Sequence, residues 1–255
     1  MTDALALSPA RGFIAEHAHY VDDAGYWEAQ AARLGGPVVD LGCAAGRIAV
    51  PLAAAGHDVV AVDTDAEMLM VLMERAAAAG VADRIHPVAA SMQHAPLPAG
   101  VPLAVCPMNT LQVLLAPADR QALFTGVARA LAPGGEFIFD LSVPDFDDIA
   151  DLIGVPLPMG DSVDPATGDV LVHTAAYRAV DAVTGTADFT ITVERPGRTD
   201  QRDHRVHLYA PDEVRRLADE SGLAVRSVHG GFAGEPFDPA ESERQVWRLV
   251  REVAT

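Results

Sequence analysis

The residues whose types and spacing could do chemistry begin with Asp40, Gly42, Ala44 and Gly46, in the stretch "VVDLGCAAGRIAVPLAAAG" from Val38 to Gly56, and continue with Asp63 at the end of "DVVAVD". The first stretch is an apolar strand that ends on an acid, then a turn of small residues, then an alanine-rich helix. A helix that starts just past a strand offers unpaired backbone N–H groups to a ligand, provided no bulky side chain stands in the way. Asp63 follows Gly42 by 21 residues, the spacing at which an acid on the second strand can accept hydrogen bonds from both hydroxyls of a ribose. Together the two features describe a nucleoside crevice at the carboxyl ends of parallel strands.

The choice of nucleoside follows from Asp40 and the turn. An acid at the strand end repels a pyrophosphate and attracts an ammonium group. The turn closes at Gly46 without the G-x-G-x-x-G pattern of a dinucleotide site, which sets an NAD-dependent oxidoreductase aside. S-adenosylmethionine carries an α-ammonium and no phosphate, so it suits D-x-G-x-x-x-G. Methyl transfer from a sulfonium is a displacement on an activated carbon. Holding the acceptor in line supplies much of the rate, and a base is needed only where the acceptor keeps its proton.

The elements that must position these residues are legible as alternating patterns. From Gly36 to about Leu141, short apolar runs alternate with helical periodicity, as in βαβ units. The runs "PVVDLG", "DVVAVD", "IHPVAA", "PLAVCPM" and "GEFIFDLS" predict five parallel strands buried on both faces. The intervening helices are expected at 47–55, at 66–79 with Asp65 as N-cap, and at 118–131, closed by "PGG". Phe13 to Leu34 reads as one or two helices that could cap a site. Val143 to Pro165, acidic and proline-containing, reads as a mobile connection, and "DVLVHTAAYRAV", "TADFTITVER" and "DHRVHLYA" as an antiparallel meander. A helix over 211–221 and the strands "LAVRSVHGG" and "ERQVWRLV" complete the chain.

The four blocks "VVDLGCAAGRIAVPLA", "VVAVDTDAEMLMVL", "PLAVCPMNTLQVLL" and "ALAPGGEFIFDLSVPD" resemble, in order and spacing, the class I S-adenosylmethionine-dependent methyltransferases over roughly Tyr20 to Pro144. The later half looks like their small-molecule branch, notably the amino-sugar N-methyltransferases. The resemblance implies a Rossmann-like, doubly wound sheet of seven mostly parallel strands, the last antiparallel near Arg244 to Val250, with an antiparallel insertion after the fifth. Carried over by position, Asp40 and Gly42 would flank the methionine moiety, Ala44, Gly46 and Arg47 would form the turn, and Asp63 would hold the ribose. Thr64, Met68, Ser91 and Met92 would lie toward the adenine, Pro107 where the fourth strand meets the methyl donor, and Tyr20 over the cofactor. Ala44 and Ser91 depart from the family's usual glycine and acid.

For the acceptor side, His19 in the leader, Asn109 after the fourth strand and His207 on the last meander strand are the catalytic candidates. The other histidines considered, His57, His86, His94 and His229, read as turn or strand-end positions. Met68, Met70 and Met73 read as core filler, with Met68 alone counted at the cofactor edge. The implied organisation is a helical cap over 1–35, a cofactor-binding core over 36–142, a connection and β insertion over 143–210 that roofs the acceptor or pairs two subunits as a homodimer, and the last helix and two strands over 211–255.

The 255 residues carry 36 acids against 18 bases, a net charge of −18, and every base is arginine. A field of that sign repels a phosphate backbone, which sets nucleic acid aside as substrate. Cys43 and Cys106 are the only cysteines and lack metal-ligand spacing. No charged leader with an apolar run and no bilayer-spanning stretch is found, so a cytoplasmic location without a membrane partner is expected. The leading expectation is methylation of a small molecule at O, N or C. The same fold using the cofactor for cyclisation or decarboxylation, or binding it without catalysis, are the alternatives.

Overall fold

The computed structural model describes residues 23–164 and 167–252, together with Gly12, Ile14 and His17. In chain order the first elements are α1 (Ala24–Leu34), β1 (Val38–Leu41), α2 (Ala49–Ala54), β2 (Val59–Asp63), α3 (Ala66–Ala78), β3 (Ile85–Ala89), β4 (Val101–Cys106), α4 (Pro117–Ala130) and β5 (Leu131–Ser142). They are followed by α5 (Phe146–Asp151), β6 (Leu157–Val163), β7 (Val170–Asp181), β8 (Thr186–Arg195), β9 (Arg198–His207), α6 (Pro211–Glu220), β10 (Leu223–His229) and β11 (Arg244–Arg251). The chain divides into two compact units, one of Asp23–Pro144 and Leu208–Thr255, the other of Met1–Asp22 and Asp145–His207.

The larger unit is a seven-stranded sheet in the order β10-β11-β5-β4-β1-β2-β3. β1 to β5 are parallel, and β11 runs antiparallel between β5 and β10. All four residues of β1 are buried, because helices cover both faces of the sheet. On one face Val39, Leu41 and Phe139 pack with Phe124 of α4, Leu217 of α6 and Tyr209. On the other, Val38, Val105 and Ile138 pack with Trp27 of α1, Leu52 of α2 and Leu72 of α3. Aromatic residues are scarce, yet Trp27, Trp247, Tyr209, Phe124, Phe137 and Phe139 are the largest fully buried side chains. Tyr26 and Trp27, adjacent on α1, both pack, with ring centroids 5.1 Å apart and each against Phe232.

Asp65 caps α3, its Oδ1 accepting from Glu67 N at 2.8 Å and Met68 N at 3.3 Å. Three expectations are corrected. β3 is an edge strand and only Ile85 is fully buried; Pro87, which cannot donate to a ladder, is tolerated there for that reason. The "PGG" segment does not merely close α4: β5 already begins at Leu131, paired with Val101, and runs through it. Gly135 has to be glycine there, since a Cβ would fall 2.7 Å from Val101 O. Met70 is 61% exposed rather than core filler, whereas Met68 of the same helix is buried.

The smaller unit is a four-stranded antiparallel sheet in the order β6-β7-β8-β9. The turn from β7 to β8 is held by Asp181 Oδ1, which accepts from Val183 N and Thr184 N. The connection expected to be mobile instead contains α5, capped by Asp145 Oδ1 on Asp148 N, and the strand β6, paired along its length with β7. Within the sheet Tyr177 and Phe189 meet edge to face across β7 and β8, and Phe189 stacks on His204 of β9 at 5.2 Å.

Candidate active site at the carboxyl edge of the parallel strands

Because β4, β1, β2 and β3 are neighbours in the sheet, the segments that leave their carboxyl ends stand in a row. They are Pro107–Thr110, Gly42–Arg47, Asp63–Thr64 and Ser91–Met92. Gly42 N and Cys43 N both donate to Val62 O, at 2.8 and 3.0 Å, which ties the turn after β1 to β2. Gly42, Ala44 and Gly46 all have left-handed backbones, with φ of 72, 44 and 77°. A Cβ on Gly42 would lie 2.2 Å from Thr110 Cγ2, and one on Gly46 2.1 Å from Leu72 Cδ1. The glycines are thus required by the chain's own packing against Thr110 and Leu72, a reason added to the sharp turn and close ligand approach expected from the sequence.

Asp63 is tied into the same turn. Its Oδ2 accepts from Ala44 N at 2.8 Å and its Oδ1 from Asp65 N at 2.9 Å. Each carboxylate oxygen has a second lone pair, so both can still accept from a ligand hydroxyl. Asp40 is buried and its Oδ2 has no hydrogen-bond partner. Burial raises its pKa most strongly, Arg47 opposes this and Asp63 adds to it, and the carboxyl is pushed up to about 7. An unpaired buried carboxylate oxygen is costly in isolation and suits a cationic donor from outside the chain. That orphan atom is the observation by which S-adenosylmethionine fits these residues.

Arg47, the residue after Gly46, donates through Nη1 and Nη2 to the two oxygens of Asp23, at 2.5 and 3.0 Å. Asp23 is fully buried and also accepts from Trp27 Nε1 at 2.7 Å. At the end of β4, Met108 and Asn109 are consecutive left-handed residues with φ of 60 and 58°. Asp140 Oδ1 accepts from Met108 N and Asn109 Oδ1 accepts from Ser142 N, both at 2.6 Å, while Thr110 Oγ1 donates to Pro107 O at 2.6 Å. Asp140 is itself buried and ion-paired with Arg244; burial raises its pKa against the pull of that arginine. Strained backbone held by several bonds is a feature of ligand clamps.

The positions singled out from the sequence are thus partly assembled. Asp40, Gly42, Ala44, Gly46, Arg47, Asp63 and Pro107 lie on one continuous edge. Thr64 is exposed beside Asp63, Ser91 is half-buried with its carbonyl accepting from His94 N, and Met92 packs against the core. Met68 is buried one turn into α3. Asn109 joins the ends of β4 and β5 through its side chain. His207 is buried at the end of β9, in the smaller unit, and His19 and Tyr20 lie outside the described residues. Both thiols are buried, and burial pushes the pKa of each upward. Asp23, Thr110, Asp140 and Arg244 were missed. An acid inside the apolar run "FIFDLS" was a usable signal for Asp140, whereas nothing local marks Arg244. Among the described residues no helix is long and apolar enough to cross a membrane.

The chain is similar to known proteins in sequence and fold. The family model described as a methyltransferase domain matches residues 38–135, the span of β1 to the start of β5. The cypemycin N-terminal methyltransferase of a Streptomyces species is 29% identical over 245 residues, covering 94% of this chain and 89% of that protein. The CcbJ methyltransferase from Streptomyces caelestis has the same fold, with a TM-score of 0.76 and 24% identity over 93% of this chain and 98% of that one. The glycopeptide N-methyltransferase MtfA in complex with (S)-adenosyl-L-methionine matches at a TM-score of 0.59 and 26% identity, over 91% of this chain and 95% of that one. Sheet order, the carboxyl edge with its orphan acid, and these likenesses lead to one conclusion: residues 38–135 match a methyltransferase domain, and the chain is similar to S-adenosylmethionine-dependent methyltransferases.

Proposed function

We propose that this methyltransferase acts in specialised metabolism on a small-molecule acceptor, with nitrogen as the methylated atom. The names of the cypemycin and glycopeptide relatives support the choice of nitrogen. The observation that carries the assignment of the edge is the unpaired Oδ2 of buried Asp40, placed to receive the cofactor's ammonium. Asp63 holds the ribose hydroxyls with the lone pairs that Ala44 N and Asp65 N leave open. Ser91, Met92, Thr64 and Met68 form the adenine end. Pro107 and Asn109 border the reacting end, where the NH₂ group of Asn109 orients the acceptor while its Oδ1 stays on Ser142 N.

When bound, the cofactor supplies a methyl group already activated by its sulfonium. The chain's own task is to hold and orient, and an amine that arrives neutral needs no base. The test is incubation with methyl-labelled S-adenosylmethionine and matched panels of small amines, alcohols and activated-carbon acceptors. Label is expected on amines and lost in Asp40→Asn. Label on alcohols or carbon alone would overturn the nitrogen assignment, and full activity of Asp40→Asn would overturn the placement of the ammonium.

A further inference from the structure

We propose that Arg226 and Arg248, gathered with Arg33 on the single carboxylate of Glu136, form a binding site for a compact oxyanion, a phosphate group, at the amino end of the sheet. The site lies away from the cofactor edge and does not depend on how that edge is read. Glu136 pairs with Leu103 of β4, and Leu103 with Val38, the first residue of β1, so the cluster stands level with the start of the parallel strands and not with their carboxyl ends. Glu136 is fully buried. Arg33 and Arg248 each grip both of its oxygens, Arg33 through Nη1 and Nη2 and Arg248 through Nε and Nη2. Those bonds already use the roughly four lone-pair sites of a carboxylate. Arg226 Nη1 adds a further bond to Oε1, on an acceptor that was filled without it.

Charge does not balance at this point. Among the described residues Glu136 is the one acid within ion-pair distance of Arg33, Arg226 and Arg248, so two positive charges are left uncompensated. Acids are not scarce: the chain has 36 against 18 bases, and Arg84, Arg205 and Arg216 each pair with one. The cluster is a local excess of like charges that repel one another, and a clasp for Glu136 would be complete with Arg33 and Arg248. Arg226 Nη1 and Arg248 Nη2 meet at the same oxygen, at 2.5 and 3.1 Å, which sets the two guanidinium groups side by side. The Arg226 side chain is 50% exposed and makes no other side-chain hydrogen bond among the described residues, so its Nε and Nη2 are open, and Arg248 keeps Nη1. Arg33 has less to offer, its Nε and Nη2 being held by Gln30. A phosphate group carries the two charges that are missing and accepts along the edge of a guanidinium. The net charge of −18 opposes a nucleic acid or an acidic protein at long range far more than it opposes one small ion.

The experiment is calorimetric titration of the full chain with inorganic phosphate and with glycerol phosphate, a phosphomonoester, at an ionic strength held constant with sodium chloride. Wild type is expected to bind at least one of them with a Kd of about 1 mM or tighter, and Arg226→Gln about tenfold more weakly. Arg216→Gln, which removes an exposed arginine elsewhere, should bind as wild type does. Tighter binding of inorganic phosphate identifies the free ion as the ligand, and tighter binding of the ester a phosphorylated small molecule. Affinity for S-adenosylhomocysteine should be the same with and without phosphate, since the cluster is off the cofactor edge. No heat from either anion beyond that of chloride would overturn the proposal, as would equal phosphate affinity in Arg226→Gln. Displacement of phosphate by S-adenosylhomocysteine would overturn it too, by putting the anion at the other end of the strands. Arg226 is half exposed, so its variant is expected to fold, which circular dichroism checks; Arg248→Gln carries the same comparison if it does not.

Discussion

At Ala44 a methyl group sits on a backbone with φ of 44°, a conformation that disfavours every residue with a Cβ. Its N–H is needed on Asp63 Oδ2, so the turn cannot relax without releasing the acid at the end of β2. Ala44→Gly is expected to relieve the strain and stabilise the protein by ~0.5–1 kcal/mol, the gain in the native state being partly offset by the greater freedom of glycine in the unfolded chain. Urea unfolding of the two proteins measures it, and a loss of stability would show that the turn is unstrained. Asp40 acts through its proton. With its pKa raised to about 7 by burial, the folded protein binds that proton more tightly than the unfolded chain does. Stability without ligand therefore falls as pH rises from the ordinary carboxylate range through about 7. Pairing with an ammonium needs the ionised form, so affinity for S-adenosylhomocysteine should weaken by about tenfold for each pH unit below that value. Titrations from acidic to mildly basic pH would show it, and the slope should vanish in Asp40→Asn.

Among the elements, β5 has the most partners to hold. Its buried Glu136 accepts from Arg33 of α1 at 2.8 and 2.9 Å, from Arg226 of β10 at 2.5 Å and from Arg248 of β11 at 3.0 and 3.1 Å. One carboxylate thus ties a helix and two strands to the middle of the sheet. Burial would raise its pKa, but the three guanidinium groups together outweigh burial and hold it at about 2. A carboxyl shifted down in the fold contributes stability that is fully present above the ordinary carboxylate range and is lost as pH falls through about 2. Glu136→Gln should cost about 3 kcal/mol at neutral pH, since it leaves three arginines around a neutral amide. Chemical denaturation reads that loss, and a change below about 0.5 kcal/mol, the scale of an ordinary surface substitution, would mean that the arginines are satisfied by water.

Over the whole molecule the two units differ in how much apolar surface they bury. Among the described residues of the smaller unit only Ile149, Leu171, Ala187 and Ile191 are buried apolar side chains, whereas the larger unit has two extensive clusters on the faces of its sheet. Local stability follows such burial. Native-state hydrogen exchange is expected to show amides of β7 and β8 opening at lower free energy than those of β1, β4 and β5. Equal protection would indicate one cooperative unit. The smaller sheet meanwhile carries long, regular ladders, so its lower stability would come from thin packing and not from poor pairing.

The local code was sufficient for much of this. Apolar runs bounded by glycine, proline and acids marked β1 to β5, since a strand covered on both faces must be apolar throughout, and Asp65 announced the start of α3 because capping is settled within three residues. Asp40, Gly42, Gly46 and Asp63 were legible for the same reason: a strand, a tight turn and the next strand end lie within one short span of chain. Tertiary structure decided the rest. Whether β3 was central or an edge depends on which strand pairs beside it, and the partner of β6 is β7, which lies outside 143–165. Gly42 is glycine because of Thr110, and Gly46 because of Leu72. Asp23 grips Arg47, and Asp140 pairs Arg244 across 104 positions. Buried charges of this kind need partners, but the fold selects which ones by bringing distant elements into contact, and a linear pattern carries no record of that distance.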